Sequence, residues 1–170
     1  MNVHLREWRT SDIPVLTQLA NNPAVAAPLR DAFPHPYTEE HARTWVEFQQ
    51  QQEVPHAFVI EVDGAFAGGT GLERRTDIYR GTVEIGYWLG EPFWGRGIAS
   101  RAIGLLCDYI WHHLPDVHRI EALVFAHNTA SQRVLAKNGF VQESYRRRAV
   151  TKDGQLFDDT VWVLLRENKD

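Results

Sequence analysis

The 170-residue chain has one cysteine. Cys107 therefore has no partner for an internal disulfide, and its place in a long apolar-periodic run reads as a small buried residue, not a nucleophile. No apolar run approaches the ~20 residues of a membrane span, and the N-terminus lacks a signal-peptide core. A basic excess is missing too. Eighteen Lys and Arg stand against 22 Asp and Glu, which argues against a nucleic-acid binder that needs a basic face. Internal repeats and low-complexity segments are absent. The length suits one domain, residues 1–170, by the prior of roughly 100–200 residues per domain, and it is enough to bury a core. These absences leave a soluble, cytoplasmic protein that binds neither membrane nor nucleic acid.

What is present is organised around Glu84 to Leu114. An apolar extended segment ends at Gly90, and Pro92 prevents its continuation in a ladder. A turn with Gly95 and Gly97 follows. Ile98, Ala102, Leu105, Leu106, Tyr109 and Ile110 then recur at helical spacing until Pro115. Strand, glycine turn and helix place backbone N–H groups at a helix start, where the dipole and the orphan donors suit a phosphate. Glycines let the anion approach closely. The pattern is not the dinucleotide Gly-x-Gly-x-x-Gly, because Ser100 stands at its last glycine, and no Gly-Lys-Ser/Thr follows to make a P-loop.

In order, Val3 to Trp8 alternates as a half-buried strand does. Thr10-Ser11-Asp12 offers N-cap chemistry for a helix through Leu16, Leu19 and Ala20, and Pro23 and Pro28 then break the chain. The turn-rich segment Leu29 to Tyr37 carries Phe33 and Tyr37, more aromatic surface than a plain connector needs. Thr38 caps a second helix with Ala42, Trp45 and Val46 on its apolar face. His56 to Val62 is a strand, Asp63-Gly64 a hairpin signal, and Ala65 to Leu72 the return strand. Gly68-Gly69 within it predicts a bulge or a close backbone neighbour. After the turn from Arg74 to Gly81, Thr82 to Leu89 forms the strand entering the glycine turn. Beyond the long helix come a strand (His118 to Phe125), a short helix (Asn128 to Asn138), a strand (Phe140 to Val150), a turn at Lys152-Asp153-Gly154, a last strand (Leu156 to Leu165) and a polar tail, Arg166 to Asp170. The order describes one mixed-sheet α+β domain.

The run His127-Asn128-Thr129-Ala130-Ser131 to Asn138-Gly139-Phe140, about thirty residues after the glycine turn, resembles the GNAT acetyltransferase superfamily. Glu84 to Leu89 followed by Trp94-Gly95-Arg96-Gly97-Ile98-Ala99 is similar to its RimJ/RimL branch of ribosomal-protein N-terminal acetyltransferases. The resemblance covers nearly the whole chain. It implies a mixed, mostly antiparallel sheet of about seven strands, flanked by about four helices, with central strands splayed at the cofactor site. The family pattern is Gln or Arg, two residues, Gly, one residue, then Gly or Ala. Gly97 and Ala99 fill its last places, and Trp94 replaces the first. By the resemblance, acetyl-CoA binds with its pyrophosphate on the amides of Gly95, Arg96, Gly97, Ile98, Ala99 and Ser100. Its pantetheine arm then lies along Tyr87, Trp88 and Leu89, and Asn128 hydrogen-bonds the arm. Arg96, Arg101 and Lys137 are candidate phosphate partners.

Transfer to an amine needs a neutral nucleophile, donors for the developing oxyanion and a proton for the thiolate. The tyrosine that many members place seven residues after the asparagine is Leu135 here. Ser131 is the alternative, orienting the thiol, or else it serves only the helix start. Glu84 is the candidate base through a water; its structural alternative is pairing with a cross-strand arginine. A glutamate that some Rim-type enzymes carry in the penultimate strand is Val150 here, and Asp158 and Asp159 are fallback bases. His112, His113 and His118 imply no metal geometry. The expected acceptor is a primary amine, such as a protein N-terminus, or else a small amine (polyamine, amino sugar, amino-acid derivative), with Phe33 and Tyr37 on the acceptor side. An acyl-CoA sensor without catalysis is the non-enzymatic alternative, and a homodimer stays open.

Overall fold

Alternation at the start of the chain produces a strand, β1 (Val3–Arg6), shorter than the pattern suggests. In the computed structural model, which describes residues 1–167, six more strands follow: β2 (Ala57–Val62), β3 (Ala65–Arg74), β4 (Thr82–Leu89), β5 (Arg119–Phe125), β6 (Val141–Lys152) and β7 (Gln155–Leu165). The helices are α1 (Ile13–Ala20), α2 (Pro23–Ala26), α3 (Glu39–Gln50), α4 (Ile98–His113) and α5 (Thr129–Lys137). Hydrogen bonding orders the sheet β1-β2-β3-β4-β5-β7-β6. β1/β2, β2/β3, β5/β7 and β6/β7 pair antiparallel. β4 and β5 pair in parallel, and the chain between them passes through α4, as a parallel crossover requires. Their register runs Thr82↔Arg119, Val83↔Ile120 and Glu84↔Glu121, while β5 continues along β7 to Phe125↔Asp159.

The chain forms two compact units, Met1–Gly71 with Tyr87–Ala102, and Leu72–Gly86 with Ile103–Asp170, residues 168–170 of the polar tail lying outside the described residues. The first has two apolar clusters. One gathers Trp8, Ile13, Leu16, Ala42, Val46, Val59 and Phe66; the other gathers Val3, Ile60, Val62, Leu89, Ile98 and Ala102. The predicted close neighbour of the paired glycines is real. A Cβ on Gly68 would lie 2.1 Å from the carbonyl oxygen of Trp88, so β3 and β4 can approach here only without a side chain. The hairpin at Asp63 (φ 49°) and Gly64 (φ 85°) has both central residues left-handed, as type I′ demands. In the second unit Ile103, Leu106, Ile110, Val117, Ile120 and Leu135 are fully enclosed.

Three local expectations need correction. Asp12 stands at the start of α1 but does not cap it. Its carboxylate accepts from the Arg9 amide (2.8 Å) and from both terminal nitrogens of Arg6 (2.9 and 2.8 Å). Those charge-assisted bonds outcompete a cap, and Asp12 and Glu61 together raise the Arg6 guanidinium further. Pro23 does not simply break the chain. It opens α2, a helix start needing no amide there, with Asn22 as cap. The tail is more than polar, since the Arg166 guanidinium donates to the carbonyls of Val117 (2.7 Å), Leu114 (3.1 Å) and Trp111 (3.2 Å). It thereby closes the C-terminal end of α4, where carbonyls and dipole both favour a cation. Thr38 caps α3 as expected, accepting from the His41 amide.

Candidate functional site

The glycine turn belongs to the first unit. β4 ends at Leu89, a 3-10 turn spans Glu91–Phe93, and Trp94 leads into Gly95 (φ 72°) and Gly97 (φ 75°). Side chains rarely adopt that left-handed conformation. A Cβ built on either glycine would meet nothing within 4 Å, so the turn is open space over exposed backbone. The bond from the Arg101 amide to the Gly97 carbonyl (3.3 Å) opens the α4 pattern, and a helix start turns its first amides outward along the axis. Underneath, Ile98 and Ala102 anchor the helix in an apolar cluster with Phe93 and Ala99 packed on it. A rigid floor, open backbone and a positive dipole end fit a phosphate.

Side chains around the turn are mostly committed. The Trp94 indole donates to the Leu89 carbonyl at 2.8 Å, tying the turn to the end of β4. This tie was not foreseen. Its only signal is a donor aromatic five residues after a strand end. The exposed Arg96 guanidinium lies 5.8 Å from the centre of the Phe93 ring. Arg101 reaches the Met1 carbonyl (3.3 Å). Trp88 packs edge-on to Phe33 at 5.4 Å. Tyr37, placed on the acceptor side by sequence, sits in the core at 5% exposure, with burial pushing its hydroxyl up to about 12. Phe33 is half-buried against the same cluster, 5.1 Å from Tyr37.

The second unit holds the polar candidates. Asn128 is the N-cap of α5, its Oδ1 accepting from the Ser131 amide at 3.2 Å. The cap uses the oxygen, so the NH2 group is what Asn128 can offer a ligand. Ser131 is half-buried in the first turn. Gln132 pins the strand–helix junction through the carbonyls of Phe125 and Ala126. Exposed His127 stacks on Phe125 at 5.4 Å. Leu135 is completely buried, so a tyrosine at that position would have to displace core. Lys137 is exposed in the last turn of α5, facing the negative dipole end.

Glu84 is paired with an arginine. Its Oε2 accepts from Arg75 at 3.1 Å, and the same Arg75 nitrogen bonds Glu121 Oε1 at 2.7 Å. Glu121 accepts through its other oxygen from Arg119, which forks onto Glu143. Neither Arg75 nor Glu121 was singled out from sequence, because nothing local marks a pair 46 residues apart. Asp159, 2% exposed, is held by a two-pronged Arg146. Asp158 accepts from the Tyr145 hydroxyl (2.6 Å) and the Arg148 amide (2.8 Å), which hold it below the usual carboxylate range. The ring nitrogens of His112 and His113 each meet a carbonyl one turn back. Burial pushes the Cys107 thiol up to about 12, too high to supply a thiolate.

Residues 2–141 match the acetyltransferase (GNAT) domain family. The chain is 38% identical over 137 residues to the probable N-acetyltransferase YjcK of Bacillus subtilis, covering 76% of this chain and 74% of that protein. It is 30% identical over 168 residues to the uncharacterized N-acetyltransferase p20 of Bacillus licheniformis, covering 95% and 92%. Among solved structures, RimL, a ribosomal L7/L12 alpha-N-protein acetyltransferase in complex with coenzyme A, superposes with a TM-score of 0.84 at 24% identity, over 97% of this chain and 94% of that one. The chain belongs to the GNAT acetyltransferase family, as an acetyl-CoA-dependent N-acetyltransferase.

Proposed function

We propose that this chain acetylates a primary amine, with the α-amine of a protein N-terminus as its leading acceptor class, and that residues 1–170 act as one N-acetyltransferase domain. The observation that carries the cofactor side is the open pair of left-handed glycines at the start of α4. Gly95 to Ser100 would receive the pyrophosphate on backbone amides, with Arg96 as a charged partner and Tyr87 to Leu89 beside the pantetheine arm. The acceptor class is supported by the likeness to a solved enzyme described as acting on a ribosomal protein.

Acetyl-CoA supplies the activated acyl group, so that the amine nitrogen bonds the acetyl carbon as the C–S bond breaks. Glu84 takes the proton leaving the nitrogen, through a water, and its 11% side-chain exposure keeps that carboxylate sheltered. The Asn128 NH2 group holds the arm, and the Ser131 hydroxyl orients the departing sulfur. Val150 stands where some Rim-type enzymes carry a glutamate and Leu135 where many family members carry a tyrosine; Glu84 and Ser131 take these roles in this reading, with Asp158 and Asp159 engaged by Tyr145, Arg148 and Arg146. A cytoplasmic setting follows from the same reading.

The test is thiol release from acetyl-CoA in the presence of an amine panel: short peptides with free N-termini, polyamines, amino sugars and amino acids. Release stimulated by peptides and abolished by N-terminal blocking supports the reading. Release only with small amines moves the acceptor to that class, and CoA binding without release with any amine makes the chain a sensor.

A further inference from the structure

Glu84 and Glu121 are register partners on the parallel β4–β5 ladder. Neighbouring strands lie about 4.8 Å apart, so two carboxylates there repel unless a cation sits between them. Arg75 is that cation, and it is shared unequally. Glu121 Oε1 receives two of its nitrogens, at 2.7 and 3.2 Å, whereas Glu84 Oε2 receives one at 3.1 Å. Glu121 Oε2 is held by Arg119 through two contacts of 3.2 Å. The Arg119 fork on Glu143 (2.8 and 2.7 Å) ends the chain of pairs. Three carboxylates thus face two guanidiniums. Glu121 is the most heavily bonded of the three, and Glu84 has the weakest share of Arg75. Other charged groups on adjoining segments include Glu73 and Arg74 of β3, His118 before β5, Asp158 and Asp159 of β7, and Arg146 of β6, which acts on Glu121 electrostatically. Arg74 is engaged by Asp116, and Arg146 by Asp159.

We propose that Arg75 is a positioning residue that aims the Glu84 carboxylate, and that Glu121, by drawing Arg75 toward itself, keeps Glu84 basic enough to accept the proton of the incoming amine. This rests on the reading of Glu84 as the base. A carboxylate fully paired with an arginine is a poor proton acceptor, whereas one with no cation beside another anion stays protonated into the working pH range. Divided pairing lies between these limits. Arg75 is half-exposed, whereas the Glu84 and Glu121 side chains are both enclosed, at 11% and 12% exposure, so the cation is the member of the trio most open to solvent.

The experiment is the pH profile of kcat/KM with one fixed acceptor, so that the amine's own titration is common to every variant. Arg75→Gln removes the cation and should move the acidic limb upward by about one pH unit. Glu121→Gln leaves Arg75 wholly to Glu84 and should move that limb downward, with lower turnover on the plateau. Arg75→Lys should return the limb most of the way. CoA affinity should stay unchanged in all three. Limbs that move in the same direction, or not at all, overturn the proposal while Glu84→Gln still removes the limb. If Glu84→Gln keeps the wild-type limb, the base assignment has failed and this proposal falls with it. Should Glu121→Gln not fold, Arg75→Gln with recovery by Arg75→Lys decides, because a merely structural arginine would alter the amount of folded enzyme and not the position of the limb.

Discussion

At Gly95 and Gly97 the chain offers backbone and empty space; at Glu84 and Glu121 it offers side chains already bonded to one another. On the proposed reading, the first region works by what is missing. Its donors belong to the main chain, and its demand on sequence is two residues that accept a left-handed backbone. The second works by balance, since each carboxylate's behaviour depends on how two arginines are divided among three acids. Backbone recognition therefore tolerates drift in neighbouring side chains, such as Trp94 at the first place of the family pattern. A charge network does not, because each substitution leaves a partner exposed to repulsion or buried without compensation.

The sharpest break between the regions should come from Glu84→Gln. General-base help is worth ~10²–10⁴ in rate, so turnover should fall by about that factor while calorimetry finds CoA affinity unchanged, with partial recovery at alkaline pH where the free amine predominates. Equal turnover in parallel pH profiles would remove Glu84 from the chemistry. Next in size is Arg146→Met, which leaves the enclosed Asp159 carboxylate without its two-pronged partner. Because Arg146 is itself partly exposed, a loss of about 2–3 kcal/mol in urea unfolding is expected; an unchanged midpoint would mean that water replaces the guanidinium.

Ser131→Ala and Asn128→Ala separate reaction from binding within the second unit. The serine variant should lose about tenfold in turnover at nearly constant CoA affinity. The asparagine variant should weaken CoA and cost about 1 kcal/mol of stability through the lost cap. Identical small effects from both would reduce the pair to helix capping. The smallest effect belongs to Glu143→Gln. The hydrogen bonds from Arg119 hold Glu143 below the usual carboxylate range. Its stabilisation is thus present above the ordinary carboxylate pKa and lost as pH falls through the lowered value. The variant should show a slightly lower Tm near neutrality and less loss on acidification, a difference that about 1 M salt erases. A salt-independent difference would contradict the electrostatic origin.

Much of the fold could be read from local pattern. Thr82–Leu89 is a strand at both predicted ends, the helical run from Ile98 stops just before Pro115, and the Gly68 signal finds its close neighbour in the Trp88 carbonyl. What escaped was decided by distant residues. Asp12 is a good cap by type, but Arg6 and Arg9 claim its carboxylate. Tyr37 lies in a turn-rich segment whose pattern does not say what it packs on, and it shares one buried cluster with Trp8 and Phe66 and with Ala42 and Val46 of α3. Arg166 reads as tail and closes α4. For the site, the glycine turn is legible because its geometry is local, whereas Arg75 and Glu121 meet only when β4 and β5 pair. Periodicity says nothing about which arginine a strand glutamate will meet.

The central claim is that backbone at the start of α4 receives the pyrophosphate of CoA. It is tested most directly by titrating CoA calorimetrically into wild type, Gly97→Ala and Gly97→Asp. A Cβ at Gly97 meets no neighbour, so alanine should cost only the strain of its left-handed backbone, about 1 kcal/mol of stability, and bind CoA within a few-fold. Aspartate adds a negative charge about 4 Å from the bound phosphates, where repulsion of several kcal/mol is expected, and affinity should fall by about 100-fold or more. A folded Gly97→Asp variant that binds CoA as tightly as wild type would contradict the account.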